Sequence, residues 1–181
     1  MISVCRRDEN FLDQCKLVAK NSKCLSRQIG SILVRDKSII STGYNGPPRD
    51  FPHCNERYLI DPELRKALKK INKDPDDPRY HNICPRYVLG YKSGQGLEWC
   101  VAAHSEKNAI VNAAREGICT KGSTLYMTCS VPCSQCLVSI INAGITEIVV
   151  TSKSFYDLSA QYLIKNSNLI CREFHITTNF E

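Results

Sequence analysis

A chain of 181 residues suits one domain with one substantial core. With 43% hydrophobic and 23% charged residues, 9 Gly and 8 Pro, its composition excludes collagen-like, coiled-coil and largely disordered chains. Lys and Arg exceed Asp and Glu by 24 to 18, and this formal charge of +6 is not gathered into a basic tail, so it suits a small anion as well as a nucleic acid.

Over residues 9–22, Phe11, Leu12, Cys15, Val18 and Ala19 recur at helical spacing, with Asp8 as the expected N-cap. Residues 28–35 and 38–44 are β-branched runs on either side of Asp36-Lys37, which predicts a hairpin with a tight turn. Regularity then stops. Between about residues 45 and 100, Pro47, Pro48, Pro52, Pro62, Pro75, Pro78 and Pro85 punctuate the chain, and only 61–73 reads as a helix, with Pro62 in its first turn. A stretch this long with little structure of its own is functional or disordered.

Regularity returns with a helix over 103–116 that Gly117 ends. A strand at 124–129, a helix at 133–143 ended by Gly144, a strand at 147–151, a helix at 158–165 and a strand at 169–174 follow. Strands alternating with short helices predict βαβ units and a mostly parallel sheet behind the opening hairpin. The expected organisation is one domain over 1–181 with an insertion at about 47–100. The N-terminal MISVCRRDENFLDQCK has no apolar run of signal-peptide length, and no window approaches the ~18 apolar residues of a membrane span. A soluble, cytoplasmic protein with no membrane partner is expected.

The 11 Cys are the abnormal count, being odd in number and carried by a chain longer than small disulfide-stapled secreted domains. Metal binding in a reducing compartment is the better reading. His104-Ser105-Glu106 begins one predicted helix, and Pro132-Cys133-Ser134-Gln135-Cys136 leads a strand into another. A catalytic zinc needs three protein ligands and an open position, which His104, Cys133 and Cys136 can supply. Helix N-termini favour the thiolates of cysteines spaced in this way. Glu106 is left as a proton shuttle rather than a ligand. By itself the C-x-x-C is equally a redox or a structural zinc motif. H-x-E followed by P-C-x-x-C is the zinc deaminase signature.

On these residues the chain resembles the cytidine and deoxycytidylate deaminase superfamily, and within it the deoxycytidylate (dCMP) deaminases of microbial and viral type. Further likeness lies in Ser22-Lys-Cys24, Gly43-Tyr-Asn-Gly-Pro-Pro48, Pro52-His-Cys54, Cys84-Pro-Arg86, Asn112 to Gly117, Asn142-Ala-Gly-Ile145 and Tyr156-Asp157. Two departures are Ser105, where relatives usually have Ala, and Asp50, where they commonly have Gly. The resemblance implies a three-layer αβα cytidine-deaminase-like fold with a mixed, mostly parallel five-stranded sheet and a zinc-stabilised insertion. It implies zinc-dependent hydrolysis of dCMP to dUMP and ammonia, supplying dUMP for thymidylate synthesis.

The resemblance also implies substrate contacts. Arg115 corresponds to a phosphate-binding Arg, Tyr156 to a second phosphate contact and Asn45 to a sugar or base contact. Their plainer readings are a helix-end Arg, a loop aromatic and a Tyr-Asn-Gly turn. Cys24, Cys54, Cys84 and Cys100 align with a second, structural zinc site, with His53 and His81 as substitutes; the alternative is four unconnected cysteines. Gly43 and Gly46 fall in a segment that the resemblance assigns to an effector nucleotide, dCTP as activator or dTTP as inhibitor, with Mg as counterion. A homo-oligomer, a hexamer, is expected. Cys15, Cys129 and Cys171 read as core residues, while Cys5, Cys119 and His175 carry no assigned role. Deaminases of free cytidine or deoxycytidine, deaminases of nucleic-acid bases and a non-enzymatic, zinc-stapled nucleic-acid-binding module are the competing readings. With Trp99 as the one tryptophan there is little stacking platform, so no polymeric nucleic acid is expected as a partner.

Overall fold

In a computed structural model, which describes residues 6–174, Asp36 and Lys37 both take left-handed backbone angles, with φ of 51° and 66°. Two such residues in succession match the twist of a two-residue hairpin. In chain order the elements are α1 (Arg6–Ala19), β1 (Gly30–Arg35), β2 (Ser38–Tyr44), α2 (Cys54–Ile60), α3 (Pro62–Lys70), α4 (Pro85–Val88), α5 (Ser105–Arg115), β3 (Thr124–Met127), α6 (Ser134–Asn142), β4 (Glu147–Val150), α7 (Leu158–Asn166) and β5 (Ile170–Glu173), with a 3-10 turn at Leu97–Trp99. Cys5 and His175 lie outside the described residues. No helix among the described residues is long and apolar enough to cross a membrane.

The chain divides into two units, and the first takes in residues 6–22, 29–45 and 104–174. Its sheet has the order β2-β1-β3-β4-β5. Strand β1 is antiparallel to both β2 and β3, whereas β3, β4 and β5 run parallel. Four of the five strands therefore point the same way, although the four pairings divide evenly between the two senses. Strand alternation assigns the layers. Leu33, Leu125, Met127, Ile148 and Val150 pack with Ala109 and Ala113 of α5 and Leu137 and Ile140 of α6. Ile32, Val34, Tyr126 and Val149 face the other way, onto Phe11, Leu12 and Cys15 of α1. Helices on both faces make a three-layer αβα unit, the expected fold class.

One local detail departs from the sequence expectation. Helix α1 starts two residues before Asp8, so Asp8 lies in the first turn instead of capping it. Its carboxylate accepts hydrogen bonds from the Tyr126 hydroxyl at 2.6 Å and from Arg172 at 2.5 Å, tying α1 to β3 and β5. Cys15 is fully buried as expected, and Cys129 and Cys171 are partly buried against the larger core. Cys119 is exposed.

The second unit comprises residues 23–28 and 46–103. The sequence predicts a helix at 61–73 within it; α3 stops at Lys70, after which Asn72 turns left-handed. Asp61 caps α3, accepting from the amides of Glu63 and Leu64, with Pro62 directly behind it. The short helices α2 and α4 are not predicted. Tyr58, Leu64, Leu68 and Val88 form their own small core, against which Tyr80, Leu89 and Trp99 pack. Buried Arg57 pairs with Asp61 at 2.7 Å and donates to the Trp99 carbonyl at 2.7 Å.

Candidate functional site

The site is built at two helix N-termini of the first unit. His104 is the N-cap of α5 and Cys133 the N-cap of α6, both in extended backbone that turns the side chain back over the first turn. Cys136 follows one turn into α6 and is buried. Helix α6 is held in place by Asp157, which accepts from the Ser134 amide at 3.2 Å and the Ala160 amide at 2.6 Å. One carboxylate thus caps α7 and fixes the chain beside Cys133. An Asp before an apolar run signals the cap in the sequence; its second bond is not legible there.

Cys136 Sγ lies 3.3 Å and Cys133 Sγ 3.7 Å from His104 Nδ1. Among the described residues, these three form the one set of three or more metal-ligating side chains whose ligand atoms all lie within 4.8 Å of one another. Zinc bonds of about 2.3 Å to sulfur and 2.0 Å to nitrogen place neighbouring tetrahedral donors roughly 3.6 Å apart, so the set fits a zinc ion with one position open. The Cys136 thiol and then His104 hold Cys133 well below the ordinary thiol range, and Cys136 is raised in turn by its hydrogen bond to Cys133. His104 is raised by Cys133 and Glu106.

Glu106, in the first turn of α5, is only 4% exposed. Its Oε1 lies 3.7 Å from His104 Nδ1, while its Oε2 accepts from Ser105 at 3.1 Å. Burial works to raise its pKa, but hydrogen bonds from His104, its own amide and Cys136 outweigh that and hold it below the ordinary carboxyl value. The arrangement pairs a three-donor metal site with a buried base that is not a ligand.

The other expected site residues are more dispersed. Asn45 is buried, and its side-chain oxygen accepts from the Ile29 amide at 2.8 Å, so that oxygen braces the start of β1. Arg115, at the far end of α5, is ion-paired to Glu116 at 2.9 Å. Tyr156 lies exposed ahead of α7. Gly43 sits in β2 against α5, and a Cβ there would lie 2.3 Å from the Ser105 carbonyl oxygen; at Gly46 a Cβ would meet nothing within 4 Å. Packing alone thus accounts for the glycine at position 43.

Cys24, Cys54, Cys84 and Cys100 all belong to the second unit. Burial, then the charges of Cys84, Cys24 and Cys100, push the Cys54 thiol up to about 11, so the four are within electrostatic reach of one another. Their donor atoms do not share the 4.8 Å spacing of the His104 set. Arg86 is buried with no hydrogen-bond partner at Nε. Burial lowers its pKa, and the Cys84 and Cys100 sulfurs more than offset this.

Residues 5–152 match the family model of the cytidine and deoxycytidylate deaminase zinc-binding region. The chain is 34% identical over 139 residues to the deoxycytidylate deaminase of Enterobacteria phage T2, covering 74% of this chain and 73% of that one. It is 30% identical over 167 residues to the Schizosaccharomyces pombe deoxycytidylate deaminase, covering 92% of this chain but 44% of the relative, so it spans less than half of that protein's length. In structure it is similar to the dCMP deaminase of cyanophage S-TIM5 in complex with dCMP and dUMP, with a TM-score of 0.64 at 21% identity over 94% of this chain and 98% of the other.

Proposed function

For a chain that belongs to the cytidine and deoxycytidylate deaminase family, we propose that the substrate is dCMP, hydrolysed to dUMP and ammonia. The observation that carries the reading is the buried Glu106 carboxylate beside three donors spaced for zinc. The phage T2 and S. pombe relatives are both deoxycytidylate deaminases, which supports dCMP over an unphosphorylated nucleoside.

His104, Cys133 and Cys136 hold the metal. Bound zinc supplies a Lewis acid that makes water a nucleophile near neutral pH. Glu106 does the proton work: ionised and shielded from solvent, it accepts the proton of the attacking water and passes protons to the ring nitrogen and then to the departing amine. Taking up a water and losing ammonia converts the 4-amino group to a carbonyl. Arg115 and Tyr156 receive the 5′-phosphate and Asn45 the sugar or base. Cys24, Cys54, Cys84 and Cys100 hold a second, structural zinc. The Gly43 to Gly46 segment takes a regulatory dCTP or dTTP with Mg, in a homohexameric cytoplasmic enzyme.

Ammonia release from dCMP, deoxycytidine and CMP tests the reading, with Glu106→Gln as the control. Turnover of dCMP well above the other two is expected, and Glu106→Gln keeps its zinc while losing several orders of magnitude in kcat. Equal turnover of deoxycytidine, or an active Glu106→Gln, sinks it.

A further inference from the structure

Ser31 is a hydroxyl residue inside the apolar strand β1, and both it and Ser105 are almost wholly buried, at 0% and 1% exposure. Their Oγ atoms are 2.7 Å apart, and Ser105 Oγ lies 3.1 Å from Glu106 Oε2. Hydroxyls left unpaired in a core are costly, so two placed in succession need partners. The direction of the chain follows from the donors. Ser105 Oγ donates to Glu106 Oε2, which uses the one proton the hydroxyl has. Ser105 must then accept from Ser31, which completes a relay running from β1 into the first turn of α5. Neighbouring helix residues do not face each other, so the Ser105 bond folds the Glu106 side chain back over that turn. The other oxygen, Oε1, is the one on the His104 side.

We propose that Ser31 and Ser105 are positioning residues for Glu106. The relay anchors Oε2 and leaves Oε1 as the oxygen that takes up and returns the proton. Oε2 already receives the Ser105 hydrogen and makes the poorer proton carrier. Ser31 acts only through Ser105. The inference rests on the deaminase reading of the site.

Kinetics on dCMP with zinc-loaded wild type, S31A, S105A and the double variant test it, together with crystal structures of the zinc-loaded wild type and S105A. For S105A we expect kcat to fall roughly ten-fold with KM within about two-fold and zinc content unchanged, since a hydrogen bond to a charged group is lost without loss of the metal ligands. S31A falls less, and the double variant is no slower than S105A, because the two serines act in series. In the S105A crystal the Glu106 carboxylate leaves its wild-type orientation. Wild-type kcat in S105A, or effects that multiply in the double variant, overturn the proposal. If wild type releases no ammonia from dCMP, the deaminase reading fails, and the two crystal structures decide the relay alone: an unmoved carboxylate in S105A overturns it.

Discussion

Gly43 lies so close to Ala109 that a Cβ added to it would come within 2.2 Å of the Ala109 backbone nitrogen. Strand β2 and helix α5 therefore touch backbone to backbone, one turn from Glu106. Side chains seal the contact: Asn108 donates to the Tyr44 carbonyl at 2.7 Å, Asn112 to that of Thr42 at 2.8 Å, and Ser41 to that of Ala109 at 2.7 Å. Neither backbone can yield without moving the sheet or the helix. Gly43→Ala is expected to cost about 2–4 kcal/mol, read by chemical denaturation, as an overpacked core substitution. An unchanged midpoint would show that the contact relaxes freely.

Asp8 provides a pH-dependent prediction. Burial works to raise its carboxyl, but the hydrogen bonds from Arg172 and Tyr126 outweigh this, so its pKa in the folded chain lies below the ordinary value. A depressed folded pKa contributes stability that is fully present above the unfolded pKa of about 3.9 and is lost as pH falls through the folded value. Arg172 is partly exposed and keeps Glu147 at 2.9 Å, which limits the loss. Asp8→Asn is expected to be less stable than wild type by about 1–2 kcal/mol at pH 7, with the gap narrowing below about pH 4. Urea unfolding at both pH values measures it; a gap that widens in acid contradicts the assignment.

The first unit was legible because its signals repeat over several residues. The β-branched runs in 28–35 and 38–44, the turn pair Asp36-Lys37, and glycines that end α5 and α6 with φ of 68° and 72° each fix one element. The metal set was legible because H-x-E and P-C-x-x-C hold spacings that only two helix N-termini satisfy together. Helices α2 and α4 were not, since 7 and 4 residues are too few to show a period, and the core they share with α3 is closed by Tyr80 and Trp99 from outside the helices. The role of Asp8 is not legible locally, because its partners, Tyr126 and Arg172, are more than a hundred residues away. Ser31 gave only a faint signal, one polar residue within an apolar strand. Its meaning depends on a contact 74 residues distant.

Asp50 carries a φ of 60° in the second unit. That region suits glycine, whereas a side chain there meets its own carbonyl. Asp50→Gly is expected to gain a few tenths to about 1 kcal/mol, the relief exceeding the added freedom of the unfolded chain, and Asp50→Ala to lose stability. Thermal unfolding of the two variants checks the order, which reverses if the Asp50 side chain makes a stabilising contact that outweighs its strain.

The second metal site is tested by stoichiometry. Four cysteines and a buried Arg86 beside Cys84 and Cys100 suit a closed thiolate centre in a unit whose core is small. Metal analysis is expected to find two zinc ions per chain, and one in Cys84→Ser. The lost ion leaves the second unit easier to cleave by protease, while the His104 site stays loaded. One zinc in wild type, retained in Cys84→Ser, removes the site.

Arg115 tests how the phosphate is read. From Ser105 to Arg115 helix α5 rises about 15 Å, a span shortened because helical side chains lean toward the N-terminus. The guanidinium spends Nε on Glu116 and one terminal nitrogen, at 3.4 Å, on Asn112. Both bonds aim the group, and the 3.4 Å one is weak enough to be exchanged for a phosphate oxygen, which pairs more strongly with a guanidinium. Arg115→Ala is expected to lower the preference for dCMP over deoxycytidine by about a hundred-fold in kcat/KM, chiefly through KM for dCMP. Arg115→Lys recovers only part of it, because an ammonium cannot hold Glu116 and phosphate in one plane. Glu116→Gln loses the pairing that orients the guanidinium and is expected to raise KM for dCMP several-fold without changing deoxycytidine turnover. If Arg115→Ala keeps the wild-type preference, the phosphate is bound elsewhere and Arg115 reverts to a helix-end cation paired with Glu116.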